Sequence, residues 1–154
     1  MSTPYLPIWD RDFLVNTAKA EAREQGLSQI AWNRAVSADV KEFARMVMDN
    51  HAQTLSQLEA LMKKKDLAPP PSVAEAKVEG HYELEALSDG AFDHEYIARM
   101  TAEMQQAIAR LRQAAETTED RDVRAYASEV LPVFQREQQQ ALDLEKKLAK
   151  QPNQ

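Results

Sequence analysis

The chain has 154 residues, of which 44% are hydrophobic and 29% charged, with a formal net charge of -6 and no cysteine. This is the size and composition of one globular domain with its own apolar core. The acidic balance argues against nucleic acid as a partner, because a phosphate backbone is bound by a clustered basic face. We therefore interpret residues 1–154 as a single domain, with a core over residues 10–149 and a frayed tail over residues 150–154.

The sequence shows neither a membrane span nor a leader. No stretch approaches the roughly 20 apolar residues that a transmembrane helix needs. Residues 1–10 also lack the basic start and apolar centre of a signal peptide. We expect a cytoplasmic protein if this is the full native chain, whereas a mature chain whose export signal has been removed would carry the same sequence.

Two long helices are predicted in the first half of the chain. Asp10 is the expected N-cap of the first helix, which continues to about Ala35. Ser37 is the expected N-cap of the second helix, which continues to about Asp66. Three consecutive prolines at residues 69–71 must end it, because proline has no amide donor and imposes extended geometry on the residue before it.

The second half of the chain begins with a long connection. Residues 67–90 are predicted to form a crossover that contains a short helix capped by Ser72. A third long helix is expected over about residues 91–115, and a fourth follows a turn at residues 117–118. Pro132 lies inside the fourth helix, where it removes one backbone hydrogen bond.

Short connections join the first and last helix pairs, and one long connection separates them. This pattern is typical of the one-crossover topology of ferritin-like bundles. A simple up-and-down bundle is the alternative. The predicted fold is therefore all-α: a ferritin-like four-helix bundle with a long crossover containing a short helix.

A polar or thioether side chain interrupts the apolar stripe of each long helix. Stripe positions face the neighbouring helices, so an unpaired carboxylate or imidazole there would cost several kcal/mol. Such groups are expected to pair with one another, hold water or bind a metal ion. The four residues, one from each helix, are Glu24, His51, Met104 and Glu137.

These four residues are candidate ligands of a single transition-metal ion, because metal sites in bundles are built from facing helices. The Glu-x-x-His step of a di-iron centre is absent, since Met48 and Thr101 stand three residues before His51 and Met104. Carboxylate oxygens and a thioether favour different metals, so the ion is not identified. The competing interpretation is a hydrogen-bonded polar cluster without a metal.

No catalytic residue and no organic cofactor site is predicted. The chain has no cysteine, no glycine-flanked serine and no glycine-rich phosphate loop. Glu24 and Glu137 are a conceivable acid and base pair, but the sequence indicates no substrate pocket. A protein without catalytic activity is therefore favoured over an enzyme.

Four further residues near the crossover receive structural interpretations. His81 and His94 are expected at the surface. Asp93 is expected to cap or orient the start of the third long helix, and Tyr96 to bring its hydroxyl to a buried partner. On the short helix, Tyr82 and Leu84 would cover the bundle or offer a contact to a second copy or another protein.

Three motifs resemble those of the bacterial domain-of-unknown-function 4142 family: the run from Val40 to His51, the segment from Gly90 to Tyr96, and Leu131-Pro132. The resemblance covers about residues 12–146. It implies a ferritin-like helical bundle that is exported to the bacterial envelope and often labelled an outer-membrane protein, with no demonstrated activity.

The family pattern also has a glutamate on the first helix, Asp-His pairs on the second and third, and a histidine after Leu-Pro on the fourth. Glu24 and His51 match this pattern. The chain departs from it at Asn50, Glu103, Met104 and Glu137. If the pattern binds a metal in relatives, the resemblance implies that this chain has lost or altered the site.

Two functions of different classes follow from the sequence. The first is a non-catalytic ferritin-like bundle that serves as an envelope or stress-associated binding module through its surfaces. The alternative is a metal-binding or redox bundle with its site inside the four-helix core. A protein partner or a homodimer is compatible with the first, and a metal ion is required by the second.

Overall fold

The computed structural model describes residues 6–69 and 81–151, and within these ranges the chain folds as an all-α helical bundle. The predicted long helices are confirmed, with ends within two residues of the expected ones except at the start of the first helix. The predicted cap Ser72 and the side chain of Tyr82 lie outside the described residues. The helices are α1 (Ile8–Arg34), α2 (Ala38–Lys64), α3 (His81–Glu85), α4 (Asp89–Thr117) and α5 (Arg121–Ala149).

One end of the bundle holds the start of both α2 and α4. The backbone N–H groups of Val36 and Ser37, which precede α2, donate to the carboxylate of Asp93 at 3.0 and 2.7 Å. Asp93 lies near the start of α4, so these two helices begin at the same end of the bundle. They therefore run in the same direction.

The opposite end holds the start of α1 and α5. Lys65, directly after α2, forms ion pairs with Asp120 and Asp122 at 2.9 and 3.0 Å. Thr118, directly after α4, donates to Asp10 in the first turn of α1 at 2.5 Å. The direction of the four long helices is thus up, down, down, up.

This order agrees with the predicted one-crossover connection, because α2 ends at the opposite end of the bundle from the start of α4. Each of α1 and α5 packs mainly against α2 and α4, so α1 and α5 lie across a diagonal. A simple up-and-down bundle would instead make α1 and α4 parallel.

Within residues 6–69 and 81–151, no helix has the length and hydropathy of a membrane span.

The core between the helices is built from their apolar stripes. Leu14, Leu58, Phe92, Tyr96 and Phe134 are fully or almost fully buried. Each large side chain of this kind contributes roughly 1.5–3 kcal/mol before its lost entropy is subtracted. The remaining fully buried large residues of the core include Leu84, Ile97, Met100, Met104 and Leu111.

The helix starts only partly follow the predicted caps. Ser37 is confirmed as the N-cap of α2, since its side chain accepts from the N–H of Val40 at 3.3 Å. The predicted cap at Asp10 is wrong, because α1 begins at Ile8 with Pro7 in the cap position. Pro7 makes no side-chain cap hydrogen bond, and the Asp10 carboxylate accepts from Thr118 instead of capping its own helix.

We expect Asp93→Ala to lower the free energy of unfolding by about 1–3 kcal/mol, because two backbone donors at the start of α2 lose their acceptor. Urea unfolding followed by circular dichroism measures the change. Asp49→Ala is the matched control, since Asp49 makes only an exposed ion pair with Arg45. An equal effect of the two substitutions would contradict the role of Asp93.

Candidate functional site

Three of the four predicted site residues meet in the centre of the bundle. Glu24, His51 and Glu137 are all completely buried. The Nε2 atom of His51 lies 2.9 Å from Oε1 of Glu137, and its Nδ1 atom lies 3.4 Å from Oε1 of Glu24. Met104 is buried in the hydrophobic core on α4. The shared polar layer therefore joins α1, α2 and α5 through these three side chains.

Glu137 is the firmest anchor of His51. Because a carboxylate can only accept, Nε2–H of His51 is the donor to Oε1. The second oxygen, Oε2, accepts from the side-chain amide of Asn50 at 3.0 Å. The imidazole ring also stacks on Phe134, with centroids 5.0 Å apart. These contacts fix the orientation of the ring.

His51 is a cation in this arrangement at neutral pH. Burial by itself lowers the pKa of His51, but the charge of Glu137 and its hydrogen bond raise it to about 9, with smaller contributions from Glu24 and Glu21. A protonated imidazole has a proton on both nitrogens. The Nδ1–H group therefore faces the carboxyl group of Glu24, while Nε2–H donates a hydrogen bond to Glu137.

A second branch of the cluster surrounds Glu21, which the sequence analysis did not single out. Its carboxylate accepts from the hydroxyls of Thr54 and Tyr126, the latter at 3.0 Å. Burial raises the pKa of Glu21, while the charge of His51 and the two hydrogen bonds lower it. Burial and the neighbouring Glu21 also raise the pKa of Tyr126 well above its usual value.

A third branch leads from Glu24 to α4. Arg23 donates through Nε and Nη2 to the two carboxylate oxygens of Glu103, at 2.8 and 2.9 Å. Burial tends to raise the pKa of Glu103, but its hydrogen bonds with Arg23 and Glu24 hold it below the usual value. Glu103 is therefore the ionised member of the two adjacent carboxyl groups.

Glu24 is the neutral member of that pair. Neither of its oxygens accepts a hydrogen bond from a donor in the described part of the chain. Burial, followed by the repulsive charge of Glu103 and the hydrogen bond with it, raises the pKa of Glu24 well above its usual value. A proton on Glu24 accounts for both observations, because the acid can then donate to the Glu103 carboxylate.

The three branches form one internally compensated cluster across all four long helices. The His51 and Arg23 cations are matched by the Glu137 and Glu103 carboxylates, while burial raises the pKa of both Glu24 and Glu21 and so favours their neutral forms. Pairing of this kind is what permits charged groups to be buried. The arrangement holds protons and charges at fixed positions, with no solvent contact at Glu24, His51 or Glu137.

Metal binding would require this arrangement to change. Residues 6–69 and 81–151 contain no group of three or more His, Asp or Glu side chains placed to hold a metal ion. His51 would have to lose its Nδ1 proton, because a protonated ring nitrogen is not a ligand, while Nε2–H stays on Glu137. The ligand set of Glu24, His51, Glu137 and Met104 stays a prediction.

The structural interpretations around the crossover have mixed outcomes. Tyr96 is confirmed to have a buried partner, since its hydroxyl lies 2.7 Å from Oγ of Ser28. Asp93 holds the start of α2 and not the start of its own helix. Leu84 is fully buried and covers the bundle. His81 and His94 are half-buried, and His81 contacts Glu85 at 2.5 Å.

Two grooves in the described part of the chain lie away from the buried cluster. A cavity of about 450 Å³ runs between α4 and α5 beside Leu87 and Leu148. Another of about 350 Å³ lies between α2 and α5 beside Phe43 and Leu144. Glu24, His51 and Glu137 line neither of them, so these grooves give no route to the imidazole.

Comparison with known proteins yields a family but no characterised relative. No curated protein and no solved structure matches the chain. A family model described as a domain of unknown function, DUF4142, matches residues 2–144, which include all three motifs that carried the resemblance. The chain therefore belongs to the domain-of-unknown-function 4142 family.

Proposed function

We propose that this protein is a non-catalytic binding module that acts through its surface, in the bacterial envelope or in the response to stress. The observation that carries the proposal is the buried cluster of Glu24, His51 and Glu137. Its charges are compensated inside the protein, and none of the three residues touches solvent. A substrate has no contact with these groups while the bundle is closed.

The chemistry of the cluster also favours a structural role. A general base needs a free acceptor within hydrogen-bond reach of its substrate, but the His51 nitrogens face two carboxyl groups. Buried ionic groups of this kind can make one arrangement of helices preferable to others. The cluster would then set the alignment of the bundle and leave recognition to the outer faces.

Four exposed apolar residues are the natural places to test for recognition. Ile8 and Val36 have the largest exposed fractions, 68% and 63%, and they lie at opposite ends of the bundle. Isolated apolar residues are normal at a protein surface, so each end is tested separately. Within residues 6–69 and 81–151, the exposed large hydrophobic residues are Ile8, Trp9, Trp32 and Val36.

The experiment compares an interior variant with surface variants in a strain that lacks the gene. The interior variant is His51→Leu with Glu137→Leu, and the surface variants are Ile8→Ser and Val36→Ser. Growth under detergent or osmotic stress measures the function of each variant. We expect the interior variant to restore growth fully and at least one surface variant to fail.

Urea unfolding of the purified variants shows that each of them is folded. A folded interior variant that fails to restore growth, beside surface variants that succeed, would overturn the proposal. The buried cluster would then be the functional centre itself. The envelope location rests on the family resemblance and is tested separately by fractionation of the wild-type strain.

A further inference from the structure

One smaller groove, unlike the two described above, is lined by residues that form hydrogen bonds to the buried cluster. It has a volume of about 210 Å³ and lies between α2 and α5. Asn50 and Thr54, one helical turn apart on α2, line it together with Gln53. On the α5 side, Glu129 and Arg136 contribute charged groups. The groove is therefore polar on both walls.

Two of these lining residues are also the outer members of the buried hydrogen-bond network. The Asn50 amide donates inward to Oε2 of Glu137 at 3.0 Å, and Glu137 in turn holds Nε2–H of His51. The Thr54 hydroxyl donates inward to Glu21. A single layer of side chains thus separates the groove from two buried carboxyl groups.

The opposite wall of the groove is the turn of α5 that contains Pro132 and lacks one backbone hydrogen bond. Glu129, Val133 and Arg136 surround Pro132 in the sequence. Pro132 has no N–H, so the carbonyl of Ser128 receives no helical hydrogen bond from it. Opening this turn breaks one helical hydrogen bond fewer than opening a turn of the helix interior that contains no proline. The hydrogen-bonded side chains of Asn50 and Thr54 on α2 therefore lie opposite the turn of α5 that contains Pro132.

We propose that this α2–α5 groove is a water port, through which water or another small hydrogen-bonding molecule reaches the Glu137 side of the buried cluster. The Asn50 side chain lies between the groove and Glu137, and water must displace its amide to reach that carboxylate. The volume accommodates several waters at about 30 Å³ each, and the amides and charged groups supply the partners that ordered water needs. This inference is independent of the surface recognition proposed above, because it concerns exchange with the interior.

The exchange of the two His51 ring protons with solvent, followed by NMR at pH 7, tests the port. Asn50→Ala removes the amide that covers Glu137, so we expect Nε2–H to exchange about tenfold faster, because one hydrogen bond fewer must break for water to enter. Nδ1–H faces Glu24 on the side of α1, and its exchange should stay unchanged.

Gln53→Ala is the matched control, because Gln53 lines the same groove and is exposed. We expect this variant to exchange like the wild type. Equal acceleration by Asn50→Ala and Gln53→Ala would overturn the proposal. So would exchange that follows the global free energy of unfolding in every variant, since water would then enter only by unfolding.

Pro132→Ala provides a second test that does not depend on the stability of Asn50→Ala. An alanine restores the N–H donor to Ser128 and stiffens the wall of the groove. We expect slower exchange of Nε2–H in this variant, with no change at Nδ1–H. Unchanged exchange at Nε2–H would contradict a route past this turn of α5.

Discussion

Glu137→Leu is expected to lower the free energy of unfolding by about 3–5 kcal/mol, because it leaves the buried His51 cation without its main partner. Two further effects act in the same direction. The Asn50 amide loses its acceptor, and the contact between α2 and α5 loses its polar link. Chemical unfolding with urea measures the loss directly.

The double variant His51→Leu with Glu137→Leu separates the cost of a broken pair from the value of the pair itself. Replacing both partners removes the uncompensated charge and allows two leucines to pack beside Phe134. We expect it to recover most of the stability that Glu137→Leu loses. The His51→Leu single variant completes the double-mutant cycle.

Glu42→Leu is the matched control for the loss of an ion pair, since Glu42 binds Arg45 at an exposed position. Exposed pairs are screened by solvent, so we expect no measurable change in this variant. If Glu137→Leu had no larger effect than Glu42→Leu, the buried pair would not be a structural element. Failure of the double variant to recover stability would show that the cluster contributes more than charge compensation.

The sequence contains the information for the fold because each local signal agrees with the others. Ser37 begins a helix where the stripe begins, and the long segment after α2 can reach the far end of the bundle. The helix ends at Lys64, before the predicted proline stop, because Asp66 turns the backbone with a positive φ of 59° and the N–H of Leu67 donates back to the carbonyl of Met62. The start of α1 was harder to predict. Pro7 and Asp10 both suit a helix start, and only the contact with Thr118 shows why Asp10 is inside the helix.

The buried cluster was only partly predictable, because periodicity shows which face a residue occupies but not which residue it meets. Glu24, His51 and Glu137 interrupt apolar stripes and were visible for that reason. Glu21 also lies on that face of α1, three residues before Glu24, but only the positions of Thr54 and Tyr126 show its role. The partnership of Arg23 with Glu103 depends on how α1 and α4 align.

The stability of the bundle is expected to fall as the solution becomes alkaline, because His51 is a buried cation in the folded state. Its pKa is raised from 6.5 to about 9 by Glu137 and the two α1 carboxyl groups, against the effect of burial. A raised pKa contributes stability that is complete below the unfolded value and disappears as pH rises through the folded value.

The window for this loss therefore runs from pH 6.5 to about 9. The expected fall in the free energy of unfolding is about 3 kcal/mol, since one pKa unit corresponds to about 1.4 kcal/mol. The raised pKa values of Glu24 and Glu21 act in the same direction, since each makes the folded state hold a proton that the unfolded chain loses above pH 4.5.

Urea unfolding at a series of pH values across this window measures the fall, and NMR titration of the His51 ring reports its pKa directly. In the double variant His51→Leu with Glu137→Leu, the part of the slope that belongs to His51 should be absent. A wild-type stability that is constant from pH 6.5 to 9 would mean that His51 is neutral in the folded state. The cluster would then hold together by neutral hydrogen bonds, and the large cost expected for Glu137→Leu would lose its electrostatic cause.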